Sequence, residues 1–146
     1  THSKQEAFSF ADKTAVMQDG KIQQVDTTQT IYEQPNNAFV ASFMEAGNLI
    51  PAASLPSGLL NNIKSAAQGD YLLRENGFAI DASNTQEPTS EKGIKAKVLD
   101  SLYMGFRYRN EVQLAELKLF IESQRPLERG DDIMISYLHE PIVIKS

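Results

Sequence analysis

Ile94-Lys95-Ala96-Lys97-Val98 opens the stretch that decides the fold. Val112-Gln113-Leu114, Leu117-Lys118-Leu119-Phe120-Ile121, Ile133-Met134-Ile135-Ser136-Tyr137 and Ile142-Val143-Ile144 follow it. In each run an apolar residue returns at every second position. Side chains of an extended chain alternate between two faces, so this period makes strands with one apolar face. Turn chemistry separates the runs, as at Arg129-Gly130-Asp131 before the fourth. Five such strands predict a small closed sheet, because a barrel removes exposed strand edges.

Working outward, residues 82–92 are polar and hold no aliphatic side chain larger than alanine, so they read as a loop. Before them, Tyr71 to Arg74 and Phe78 to Asp81 flank Asn76-Gly77, a candidate turn. The composition changes near Gly47-Asn48, which divides the chain into residues 1–48 and 49–146. The first part reads as mixed α and β. Ser3 and Glu6 have capping-box spacing at the head of a helix carrying Ala7, Phe8 and Ala11. Asp19-Gly20 lies between two β-type runs and predicts a hairpin. Thr27 or Thr28 caps a short helix with Ile31 and Tyr32, which Pro35 stops. Phe39, Val40, Phe43 and Met44 are spaced for one helical face.

The 146 residues allow one domain, or one plus a fragment, and Thr1 suits a processed product or a fragment better than a translation start. Absence of cysteine excludes a disulfide scaffold, Cys-ligated zinc and a thiol nucleophile. His2 and His139 are too few for a His-rich metal site, so none is expected. A net charge of −5 disfavours a protein that works by neutralising phosphates. No apolar run approaches the roughly 18–20 residues of a membrane span.

The chemistry-bearing residues form no complete catalytic set. The phosphate-loop pattern G-x-x-x-x-G-K followed by Ser or Thr does not occur, nor does a G-x-S-x-G elbow. By position alone, His2 reads as an exposed terminal histidine and His139 as a turn or edge residue. Tyr103, Phe106, Arg107, Tyr108 and Arg109 interleave aromatic and basic side chains, which can stack and clamp single-stranded nucleic acid. Ordinary cross-strand pairing and the acidic balance weigh against it, so an OB-type nucleic-acid-binding domain stands as the alternative.

Thr1-His2, Glu6-Ala7, Ala11-Asp12-Lys13, Ala15-Val16-Met17, Gly20-Lys21-Ile22 and Gln24-Val25 begin an ordered series. Ile31-Tyr32-Glu33, Pro35, Phe39-Val40-Ala41-Ser42-Phe43 and Asn48-Leu49 continue it. The series resembles the end of an ABC-transporter nucleotide-binding domain, of the subfamily serving importers of maltose, polyamines, sulfate and ferric iron. Ile94 to Val98, Tyr103-Met104-Gly105, Val112 to Leu114, Arg129-Gly130-Asp131 and Ile142 to Ile144 resemble the TOBE module that follows it. Leu73-Arg74-Glu75 is similar to the family's Arg-Pro-Glu signature, without the proline. Ser3, Asp26 and Glu45 depart from the family pattern.

The resemblance implies a mainly β chain, with an OB-like TOBE barrel at 49–146 after an α/β remnant of the ATPase domain at 1–48. It implies a regulatory and dimerisation module of an importer ATP-binding subunit, whose parent couples ATP hydrolysis to uptake of ferric iron or a polyamine. His2 matches the switch histidine that contacts the γ-phosphate. The family's other catalytic elements lie upstream of that position, so this chain is expected to be no enzyme by itself and to hold no cofactor. ATP and Mg2+ belong to the parent. Ser101, Tyr103, Gly105, Arg107 and Arg109 match a bend between strands, where glycine permits the turn and arginines could receive an oxyanion. The implied partners are a second ATPase subunit, as a homodimer, and the permease subunits; apolar side chains that pack on upstream residues in the parent predict self-association or strand exchange through residues 1–47. Neither nucleic acid nor membrane insertion is implied. The implied location is cytoplasmic, peripheral at the inner face of a bacterial membrane.

Overall fold

A computed structural model describes residues 13–56, 58–60, 69–81 and 93–144. His2, the helix expected at its side and the loop expected at 82–92 lie outside these residues.

The hairpin forms as the sequence predicts. Strands β1 (Thr14–Gln18) and β2 (Lys21–Asp26) pair antiparallel around Asp19 and Gly20, at φ 52° and 76°. Both turn residues thus adopt the positive φ that twists a two-residue hairpin correctly. Two short helices follow, α1 (Thr28–Glu33) and α2 (Ala38–Phe43). Thr27 caps the first through its side chain to Thr30 N, and Asn37 caps the second to Val40 N. The face expected on α2 is only partly realised. Val40, Ala41 and Met44 are buried, whereas Phe43 is 46% exposed. A six-residue helix makes fewer than two turns, so it buries a single spot rather than a stripe.

From Asn48 the described chain is β, apart from a 3-10 turn at Ala52–Ser54. Its strands are β3 (Asn48–Pro51), β4 (Asp70–Leu73), β5 (Phe78–Asp81), β6 (Ile94–Tyr103), β7 (Tyr108–Leu114), β8 (Leu117–Ser123), β9 (Asp132–Tyr137) and β10 (Ile142–Ile144). They form two sheets, in the orders β10-β4-β3 and β5-β9-β6-β7-β8. One expectation is corrected here. The run Ile142 to Ile144 leaves the larger sheet and pairs with β4. The turn expected at Asn76-Gly77 forms, with Gly77 N–H donating to Arg74 O at 3.1 Å, and the strands on its two sides, β4 and β5, enter different sheets. Gly77 serves close packing. A Cβ there would meet the Tyr137 ring at 2.6 Å.

The central strand of the small sheet, β4, is buried on both faces. Ile50, Tyr71 and Leu73 belong to the main core, with Val98, Val112, Leu119, Ile121, Ile133 and Ile135. Leu72 and Ile144 join a second core with Val16, Ile31, Val40 and Met44. Period-two alternation along β4 therefore ties the helical segment to the β body. At one end the large sheet turns back on itself. Glu122 N–H of β8 donates to Glu75 O, just before β5, at 2.8 Å. Asn48 covers the next stretch of the β8 edge. Its Oδ1 accepts from Phe120 N at 2.7 Å, and its Nδ2 donates to Phe120 O at 2.8 Å. This satisfies backbone groups that an open edge would present for pairing.

Candidate functional site at the strand and helix junction

The five residues singled out for ligand contact lie at the connected ends of β6 and β7. Met104 N–H donates to Arg107 O at 2.8 Å, closing the loop, and Gly105 has φ 101°. That conformation favours glycine. The Tyr103 hydroxyl donates to Gly105 O, and its ring lies 5.2 Å from that of Tyr108. Leu102, Tyr103, Met104 and Phe106 are exposed, Phe106 at 76%.

Register separates the side chains of these residues. A bulge between Val98 and Asp100 shifts the parity of β6. Ser101 then stands opposite Asn110 and Tyr103 opposite Tyr108, while Leu102 faces Arg109 on the other side. The structure brings Arg107 and Arg109 together and leaves Ser101 on the opposite face of the sheet.

Both guanidinium groups already have carboxylate partners. Arg109 Nε donates to Glu75 Oε1 at 2.6 Å, and its guanidinium lies 3.9 Å from the Phe120 ring centre. Arg107 Nη1 pairs with Glu122 Oε1, while Arg107 Nε has no partner. All four groups line a cavity of about 250 Å³. Tyr32, Glu45 and Ala46 of the helical segment close its other side. Carboxylates thus balance the arginines, which removes the surplus positive charge a phosphate-tracking surface needs.

Arg74 holds the junction. Its Nη1 donates to Ala46 O and its Nη2 to Tyr32 O, each at 2.6 Å. Its guanidinium lies 4.2 Å from the Tyr32 ring centre, and its backbone N–H donates to the Tyr137 hydroxyl at 3.0 Å. One planar fork therefore binds a carbonyl in the last turn of α1 and one just past the end of α2. The Arg74-Glu75 dipeptide faces both ways, toward the helices and toward β7. Sequence reading placed it in a family signature but missed this bracing role. Glu75 and Glu122 were missed because their partners are distant in sequence.

His139 is exposed after β9, with its ring 6.0 Å from that of Tyr137. Among the described residues no group of three or more His, Asp or Glu could hold a metal ion. Among them, no helix is long and apolar enough to cross a membrane.

Arg74 thus braces a mainly β body to a short helical segment, and comparisons with known proteins give the relatives of this chain. The chain is a distant homologue of ABC importer ATP-binding subunits, over roughly their C-terminal part. It is 30% identical over 156 residues to the spermidine/putrescine import ATP-binding protein PotA of Mycoplasmopsis synoviae, covering 97% of this chain and 33% of that protein. It is 30% identical to the Fe(3+) ions import ATP-binding protein FbpC of Rhizobium etli, covering 99% of this chain and 44% of the relative. The PotA of Desulfitobacterium hafniense is 26% identical, with 99% and 43% covered. The chain thus spans a third to under half the length of these curated relatives. No family model matches it.

Proposed function

We propose that this chain is the regulatory and dimerisation module of an ABC importer ATP-binding subunit. Residues 1–48 are the end of the ATPase domain and residues 49–146 a TOBE domain, whose large sheet completes an OB-like barrel through the meeting of β8 and the Glu75 turn. The observation that carries this reading is similarity over nearly the whole chain to polyamine and ferric-iron import ATP-binding proteins. The parent couples ATP hydrolysis to uptake of a polyamine or ferric iron, at the inner face of the membrane and against permease subunits. His2 acts there as the switch histidine, with ATP and Mg2+ bound mainly by upstream residues.

Within the module, Arg74 couples the two segments. The outer face of the first hairpin supports partner contact, because Met17, Ile22 and Val25 are each more than half exposed. A second subunit meets that face, and Ser101, Tyr103, Gly105, Arg107 and Arg109 remain contact candidates at the barrel end. Two measurements on the purified chain test the reading. Magnesium-dependent ATP turnover is expected to be absent, and light scattering is expected to show association that rises with concentration. Turnover by the chain alone, or a strict monomer at high concentration, overturns it.

A further inference from the structure

β5 and β8 are the two edges of the large sheet. Four antiparallel steps separate them, so they run in the same direction. Among the described residues they approach through one backbone hydrogen bond, from Glu122 N–H of β8 to Glu75 O just before β5. Beyond it lies a cavity of about 760 Å³. Phe78, Ile80 and Asp81 of β5 form one wall, and Glu122 to Arg125 with Leu127 form the other. Asn76 and Glu122 also line the cavity beside Arg107 and Arg109, so the two cavities adjoin there.

The strand ladder decides which backbone groups face this seam. Gly77 O accepts from Leu138 N–H at 2.8 Å. With Phe78 opposite Tyr137, the hydrogen-bonded pairs of β5 and β9 are then Ala79 with Ser136 and Asp81 with Met134. The N–H and C=O of Phe78 and Ile80 therefore point away from β9, to the open side of β5. None of these four groups has a partner among the described residues. On β8, Glu122 N–H points away from β7 to Glu75, and the Glu122 carbonyl shares that side without a partner. Phe78 belongs to the main core, and Ile80 and Leu127 pack against it, so the cavity has an apolar wall. Asn76, Gln124 and Arg125 are polar and exposed.

We propose that this seam binds an extended peptide segment of a partner protein, which adds as a strand along β5. The two free N–H and C=O sets of β5 are two residues apart, about 6.8 Å, the interval at which an extended backbone repeats its own. Strand addition at an unpaired edge draws its affinity from such main-chain bonds. Alternate side chains of the segment rest on Phe78, Ile80 and Leu127, and those between them face solvent. A segment that alternates apolar and polar residues therefore fits. A strand lying between β5 and β8 needs both of its own edges free. Every described strand of this chain is already paired on at least one side, so a second folded copy does not supply the segment. The proposal does not depend on the importer reading.

The probe is the peptide acetyl-Val-Thr-Val-Lys-amide, and its control is the same peptide N-methylated at each residue, which lacks those donors. Each is titrated into the isotope-labelled chain and followed by heteronuclear NMR. The unmodified peptide is expected to give saturable shifts at Phe78–Asp81 and Glu122–Arg125, with the methylated peptide at least tenfold weaker. At saturation, amide exchange at Phe78 and Ile80 is expected to slow at least tenfold. Ile80→Pro removes a seam-facing N–H but no ladder bond, and an edge strand tolerates proline on that side. It is expected to weaken the peptide at least tenfold. Should that variant fail to fold, the exchange measurement and the methylated control decide the matter on the unaltered chain. Equal binding of the two peptides, shifts elsewhere, no saturable shift, unchanged affinity in a folded Ile80→Pro chain, or Phe78 and Ile80 amides already protected without peptide overturns the proposal. Protection that rises with the concentration of the chain alone would seat a second copy in the seam and overturn it as well.

Discussion

The guanidinium of Arg74 makes two 2.6 Å hydrogen bonds to carbonyls 28 and 42 residues away in sequence. Charge-assisted bonds of this kind are worth more than neutral ones, and truncation strands two acceptors. Arg74→Ala is expected to cost about 2–3 kcal/mol in urea unfolding. Arg74→Lys is expected to recover only part of this, since a single ammonium lacks the planar fork. Two glycines show what a sequence reveals at this scale. Gly20 was legible because Asp19-Gly20 is turn chemistry on its own. Gly47 was not, because its reason is Leu73, whose carbonyl oxygen would lie 2.5 Å from an added Cβ. Gly47→Ala is expected to cost about 1–3 kcal/mol by the same unfolding measurement, the usual penalty of overpacking. The candidate site was half legible for a similar reason. Arg107 and Arg109 stand out locally, whereas Glu75, 34 residues before Arg109, has no local mark as its partner.

Hairpins and caps are decided by neighbours in sequence, so β1–β2 and the Thr27 cap of α1 match their reading. The β6 bulge and the split between β4 and β5 are decided by distant packing. A strict two-residue count carried past Val98 puts Ser101 on the wrong face, and only the bulge corrects it. The same reasoning explains the hairpin's outer face. Val16 points into the second core, while Met17 and Ile22 stand opposite each other and stay exposed. Replacing both by lysine removes apolar surface without opening a cavity. Met17→Lys with Ile22→Lys is expected to change stability by no more than about 0.5 kcal/mol per site. It is expected to reduce self-association measured by sedimentation velocity. Unchanged association would move the contact to another surface.

Alternation along the chain predicted a mainly β molecule but not which strands share a sheet. A short strand buried on both faces looks continuously apolar, as Tyr71-Leu72-Leu73 does, and its two neighbours carry no mark of belonging to it. That strand is where the two cores meet. Leu72 is fully buried among residues of the helical segment, while Tyr71 and Leu73 face the large sheet. A backbone shared between two cores couples their stability, because neither can lose β4 alone. Leu72→Ala removes buried surface from the second core and is expected to cost about 2–5 kcal/mol. Hydrogen exchange on that variant distinguishes coupling from mere adjacency. Coupling requires amides of α2 and amides of β7 and β8 to lose protection by similar factors, although only the former belong to the elements touching Leu72. Loss confined to residues 27–46 would show two independently stable units, and Arg74 would then be the joint between them and not part of one cooperative body.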